Sequence, residues 1–64
     1  MDSDVLLDVT GDVATVTLNR PDRLNTLAIP TVDRLVAVLE EAAASPARVV
    51  ILAGNGATFC AGAD

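Results

Sequence analysis

Arg48-Val49-Val50-Ile51-Leu52-Ala53-Gly54 is the stretch that decides the fold. Five apolar residues in succession leave no position for a water-facing side chain. Such a run predicts a strand covered on both faces, as in a parallel sheet. A parallel partner requires a crossover, and the preceding residues supply one. From Pro30 onward, Val32, Leu35, Val36, Leu39 and Ala43 recur at spacings of three and four, with Asp33, Arg34, Glu40 and Glu41 largely off that stripe. This is the period of an amphipathic helix. Pro30 suits a first helical turn, where its missing N–H costs nothing, and Ser45-Pro46 closes the segment. Further upstream, Val5-Leu6-Leu7-Asp8-Val9-Thr10 and Val13-Ala14-Thr15-Val16-Thr17-Leu18 flank Gly11-Asp12, the pattern of a hairpin with a two-residue primed turn. Alternation places Val5, Leu7 and Val9 on one face, with Ala14, Val16 and Leu18 on the matching face of the partner. Strand, strand, helix, strand is an α/β order, and its βαβ unit should cross over right-handedly.

The chain has 64 residues, of which 52% are apolar and only Phe59 is aromatic. An ordinary domain runs to roughly 100 to 200 residues. Short chains that fold alone usually add disulfides or a metal, but Cys60 is the single cysteine and histidine is absent. Neither an internal disulfide nor a zinc cluster can be built. A doubly covered strand also needs two layers, and one helix supplies one. The composition predicts a piece of a larger core. The competing reading is a short structural or interaction module that pairs its exposed strands with a longer relative.

Four arginines, no lysine and nine acids leave a net charge of -5. That sign argues against a nucleic-acid partner, which would be held through its phosphates. The longest uncharged run, Val49 to Ala63, is 15 residues with three glycines, whereas a membrane-spanning helix needs about 20 mostly apolar residues. No membrane partner is expected. Met1-Asp2-Ser3-Asp4 is acidic where a secretory leader would be basic, so a cytoplasmic setting is expected.

Gly54-Asn55-Gly56-Ala57-Thr58-Phe59 begins like a dinucleotide fingerprint but places Phe59 at the third glycine. A tight turn after the strand explains it better. Cys60 has no histidine to activate it, and a small packing residue is the simpler role. Asp64 suits either a general base or the N-cap of a following helix, and the N-cap is preferred. The tail Phe59-Cys60-Ala61-Gly62-Ala63-Asp64 allows a sharper reading. Small residues after a strand let backbone approach a ligand closely, and amides at the start of a helix would favour negative charge there. Together these describe half of an oxyanion hole.

Val16-Thr17-Leu18-Asn19-Arg20-Pro21, Leu24-Asn25-Thr26-Leu27, Arg48 to Gly54 and Phe59 to Asp64 together resemble the N-terminal quarter of the enoyl-CoA hydratase/isomerase family, the crotonases. The match runs in order from Val5 onward, and Asn-Arg-Pro and Ala-Gly-Ala-Asp are its most specific segments. The resemblance implies a crotonase-like ββα superhelical fold, with residues 1–64 forming a partial N-terminal segment of one domain: the hairpin, one helix and the following parallel strand.

What the family does is implied in the same way. Its members bind acyl-CoA or enoyl-CoA thioesters, and two backbone amides stabilise an enolate-like intermediate. By resemblance Ala63 supplies the first of those amides, while the carbonyls of Thr26 and Ala61 receive the adenine of CoA. The Asn19 to Leu27 loop borders the nucleotide, Arg23 is the candidate phosphate contact, and Asp64 lies beside the CoA. Coenzyme A enters as part of the substrate, so no separate cofactor and no metal are implied. The parent is expected to be a homo-oligomer, a trimer or hexamer. Two positions depart from the pattern: Thr26 replaces a common alanine, and Asp22 stands where a basic residue often follows the proline. The acid/base residues and second oxyanion amide would lie downstream. The resemblance therefore predicts a parent that hydrates an enoyl-CoA, and an isolated 64-residue chain that is inactive.

Overall fold

The computed structural model describes residues 3–63. Strand β1 spans Val5–Thr10 and strand β2 spans Val13–Leu18, followed by a single 3-10 turn at Pro21–Arg23. Helix α1 spans Ile29–Ala44, and strand β3 spans Val49–Gly54. The sheet order is β1-β2-β3, with β1 antiparallel and β3 parallel to the central β2.

The hairpin register is the one its alternation requires. Val5 faces Leu18, Leu7 faces Val16 and Val9 faces Ala14, which brings the two apolar sets onto one face. Gly11 has φ 58 whereas Asp12 is not among the positive-φ residues, the sign pattern of a II′ turn with glycine first. On that face Val5, Ala14, Val16 and Leu18 are buried, joined by Val38 and Ala42 from α1. Each fully buried valine or leucine here contributes roughly 1.5–3 kcal/mol. Val9, at the open end beside the turn, is 39% exposed.

Helix α1 begins with Pro30 in its first turn and with Val32 donating to the Ala28 carbonyl at 2.9 Å. It ends where the Ser45 hydroxyl donates to the Ala42 carbonyl at 2.6 Å, and Pro46 prevents continuation. Its buried positions are Thr31, Val38 and Ala42, with Leu35 partly buried. This corrects the expected stripe. Of Val32, Leu35, Val36, Leu39 and Ala43, only Leu35 packs on the core, and the other four are exposed. The helix is apolar on two faces, and the one on the sheet is narrower and includes a threonine.

β3 also differs from the expectation of double cover. Val49, Val50, Ile51 and Leu52 are each 44–53% exposed. The cause is position, because α1 lies over β1 and β2 while β3 forms the sheet edge. Among the described residues, no helix is long and apolar enough to cross a membrane.

Candidate functional site

At the end of β2 the chain enters a loop whose every turn is fixed by hydrogen bonds. Asn19 N–H donates to the Asp4 carbonyl at 2.7 Å, and its side-chain amide donates to the Ser3 carbonyl at 3.0 Å. Pro21 sets the 3-10 turn, and Arg23 and Asn25 N–H both return to the Arg20 carbonyl, at 3.0 and 2.8 Å. Leu24 and Asn25 then adopt the left-handed conformation, with φ of 55 and 54. Asparagine tolerates this region, whereas leucine pays about 1–2 kcal/mol for it.

Asn25 offsets that strain. It is 1% exposed, and its side chain is the hub of two loops. Its Oδ1 accepts from Arg20 N–H at 2.7 Å, while its Nδ2 donates to the carbonyls of Asn55 and Thr58, both at 2.8 Å. The fit leaves no room for a side chain at Gly54. A Cβ there would stand 2.5 Å from the Phe59 carbonyl oxygen and 3.0 Å from Asn25 Nδ2. Gly54 therefore serves close packing of the turn against the Asn25 loop rather than a phosphate cradle.

The same loop aligns the tail. Ala61 N–H donates to the Leu24 carbonyl at 3.0 Å, and Leu27 N–H donates to the Gly62 carbonyl at 2.9 Å. Leu27 and Ala63 form an isolated parallel bridge. On the Gly62 side this bridge uses the Gly62 carbonyl, not the Ala63 amide. The loop carrying Thr26 thus runs beside the tail residues Ala61 and Ala63, which are exposed while Thr26 is half-buried. Arg23 is exposed on the 3-10 turn beside them, and its carbonyl accepts from Thr26 N–H at 3.1 Å and Thr26 Oγ1 at 3.0 Å. Asp64 lies outside the described residues. Cys60 is half-buried and packs against the core, in keeping with a packing role.

Two contributors escaped the sequence reading. Arg20 reaches back with Nη1 to the Thr26 carbonyl at 2.7 Å and to Thr31 Oγ1 at 3.1 Å. Thr31, buried in the first turn of α1, donates to Asp4 Oδ2 at 3.0 Å. The polar row Asp4, Thr31, Arg20, Thr26 joins the N-terminal segment, the helix and the site loop. Hydrophobic periodicity counts Thr31 as off-stripe, and only its position three residues into a helix beside Asn-Arg-Pro hints at a partner.

Comparison with known proteins places this geometry in a family. The family model described as Enoyl-CoA hydratase/isomerase matches residues 8–64. The probable enoyl-CoA hydratase echA6 of Mycobacterium tuberculosis is 42% identical over 52 residues, covering 81% of this chain and 21% of its own length. The 3-hydroxyisobutyryl-CoA hydrolase 1 of Arabidopsis thaliana is 40% identical over 63 residues, covering 97% of this chain and 17% of its own. Among solved structures, an enoyl-CoA hydratase/isomerase from Mycobacterium paratuberculosis superposes with a TM-score of 0.93 at 38% identity, covering 98% of this chain and 25% of that one. The chain thus spans about a quarter or less of the length of these relatives. On the family model's match over residues 8–64 and this superposition, the chain belongs to the enoyl-CoA hydratase/isomerase family.

Proposed function

We propose that the chain is the N-terminal part of an enzyme that binds acyl-CoA thioesters and hydrates an enoyl-CoA, with the Ala63 amide as one donor of its oxyanion hole. The observation that carries this reading is the Leu27–Gly62 hydrogen bond at 2.9 Å with the Leu27–Ala63 bridge. It holds the loop at Thr26 and Leu27 beside the tail and leaves the Ala63 amide outside that bond. In hydration, water gives up one proton to a base as its oxygen bonds to the β-carbon and the π electrons move toward the thioester oxygen, giving an enolate; a proton returned by an acid then adds at the α-carbon, so that H and OH are added across the double bond. Negative charge develops on the thioester oxygen. One preorganised N–H aimed at it is worth about 3–4 kcal/mol. The acid/base groups and the second amide belong to the part of the parent beyond residue 64, so the isolated chain has no turnover. Hydration is favoured over thioester hydrolysis because the relatives are mostly enoyl-CoA hydratases, although hydrolases stand among them.

Within this reading the Thr26 and Ala61 carbonyls receive the amino group of adenine, Arg23 contacts phosphate, Asp64 lies next to the CoA and the parent assembles as a trimer or hexamer. The test is full-length protein with crotonyl-CoA, followed by loss of the conjugated thioester's ultraviolet absorbance. Turnover supports the assignment; neither binding nor turnover of crotonyl-CoA and longer enoyl-CoAs would end it.

The exposed edge of β3 favours a second reading, in which the short chain acts by pairing with a longer relative. Urea melting of the isolated 64-residue chain separates the two. A cooperative, concentration-independent transition supports the module; its absence supports the enzyme segment.

A further inference from the structure

We infer that Arg20 and two peptide units form a polarised hydrogen-bond relay that ends on the Ala63 amide, so that Arg20 strengthens the oxyanion donor without touching substrate. The inference rests on the acyl-CoA reading above and concerns how its donor is tuned. Arg20 Nη1 donates to the Thr26 carbonyl at 2.7 Å. That carbonyl shares a peptide unit with the Leu27 N–H, which donates to the Gly62 carbonyl at 2.9 Å. The Gly62 carbonyl in turn shares a unit with the Ala63 N–H. No cis peptide bond occurs among the described residues, and in a planar trans unit the C=O and the N–H point in opposite directions. The donors of Arg20, Leu27 and Ala63 therefore run in one sense. The Ala63 N–H faces away from Leu27, and Gly62 and Ala63 are both exposed.

Each bond in such a chain adds to the pull on the last N–H. A donor on a carbonyl draws electron density from the N–H of the same unit, and bonds in series strengthen one another by roughly 10–30% each. The head of this chain is a guanidinium, and charge-assisted bonds are about twice as strong as neutral ones. Its place is fixed by a second acceptor, since Nη1 also donates at 3.1 Å to Oγ1 of Thr31, which is buried in the first turn of α1. The orientation of the units does not depend on Arg20, because the Leu27–Gly62 bond holds them without it. What the guanidinium adds is polarisation. Nor does packing turn the Gly62–Ala63 unit: Gly62 has φ 110, and a Cβ there would meet nothing within 4 Å. The Leu27 N–H, rather than a steric wall, directs the Gly62 carbonyl and with it the Ala63 N–H.

The experiment uses full-length protein as Arg20→Gln, as Arg20→Lys, and with a backbone ester at Leu27, in which an ester oxygen replaces the N–H and cuts the relay in the middle. Two quantities are read side by side: kcat with crotonyl-CoA, and the infrared carbonyl stretch of bound butyryl-CoA, a saturated thioester that cannot be hydrated. One oxyanion donor is worth about 10²–10³-fold in kcat, and 10–30% of that logarithm is roughly a two- to eightfold change. Arg20→Gln should lower kcat by that factor, leave butyryl-CoA affinity within about twofold, and move the bound stretch toward that of the free thioester. Arg20→Lys keeps the charge at the head and should recover most of both. The ester should lower kcat at least as far, and Arg20→Gln added to it should have no further effect, because groups acting through one chain are coupled. The ester carries the test if Arg20→Gln does not fold. A stretch unmoved by Arg20→Gln and by the ester, or losses that multiply independently when the two are combined, overturns the relay and leaves the acyl-CoA reading standing. A wild type that neither shifts the bound carbonyl stretch nor turns over crotonyl-CoA overturns the acyl-CoA reading itself.

Discussion

The side-chain amide of Asn25 donates at 2.8 Å to the carbonyl of Thr58, 33 residues further along the chain. With its second bond to the Asn55 carbonyl, it locks the loop after β2 to the loop after β3. Both loops carry the proposed substrate edge, so one buried side chain holds the stability and the geometry of the site.

Asn25→Ala should therefore be costly. It leaves Arg20 N–H and the Asn55 and Thr58 carbonyls without the partners they have now, and an unsatisfied buried group costs about 1–3 kcal/mol. Alanine is also less at ease at φ 54. A loss of about 3–5 kcal/mol in urea unfolding of the full-length protein is expected. Asn25→Asp keeps the shape but turns two donors into acceptors facing carbonyls, and should be at least as damaging. A loss under about 0.5 kcal/mol for either, the scale of an ordinary surface substitution, would contradict the hub role.

Gly54→Ala tests the same junction from the other side. The added methyl meets the Phe59 backbone oxygen at 2.5 Å and Cα at 2.8 Å, and backbone cannot swing away as a side-chain tip can. Overpacking of this kind costs about 1–3 kcal/mol. Because the displaced residue, Phe59, opens the tail, activity should fall more steeply than stability. Gly11→Ala is the control: its Cβ meets nothing within 4 Å, and its cost should be limited to the strain of φ 58 with activity intact. Parallel thermal melts and rate measurements decide between them.

The hairpin and its register were legible because period-two alternation and Gly11-Asp12 specify the same pairing. The existence of α1 and β3 was legible too. Which face of α1 is buried was not. The helix offers Ile29, Val32, Val36, Leu39 and Ala43 on one stripe and Thr31, Leu35, Val38 and Ala42 on another. Periodicity prefers the more apolar stripe, yet the sheet takes the one whose threonine reaches Arg20 and Asp4. The site was legible only through family resemblance, since Thr26, Ala61 and Ala63 are proposed to act through backbone groups that leave no side-chain signature. The roles of Arg20 and Asn25 depend on partners 11 and 33 residues away, which no local pattern encodes.

The unused stripe of α1 carries its own prediction. Val36 is 50% exposed, and Ile29 is 80% exposed. Val36→Glu places a charge where water already reaches in this structure, and on a stripe that stays open it should change stability by less than about 0.5 kcal/mol. If the remaining length of the parent packs on this stripe, the same substitution buries a carboxylate there and should cost about 2–4 kcal/mol or abolish soluble expression. Urea unfolding of the full-length protein and its variant measures the difference. A small effect would show that the stripe stays open in the longer protein.

Ala63→Pro addresses the proposed chemistry most directly. Proline removes a single N–H, the one assigned to the oxyanion hole, and leaves a carbonyl and a small apolar side chain. The pairing of the tail with the loop should survive, because the Leu27–Gly62 bond and the Ala61–Leu24 bond do not use the Ala63 amide. The residue before the new proline would be Gly62, the type least hindered by the ring. Loss of one oxyanion donor lowers kcat by about 10²–10³-fold. Substrate affinity should change much less, because charge on the thioester oxygen develops only on the way to the enolate. Stopped-flow rates with crotonyl-CoA, alongside calorimetric binding of a non-reactive saturated acyl-CoA, separate the two effects. Full kcat in a folded Ala63→Pro protein would remove the amide from the mechanism.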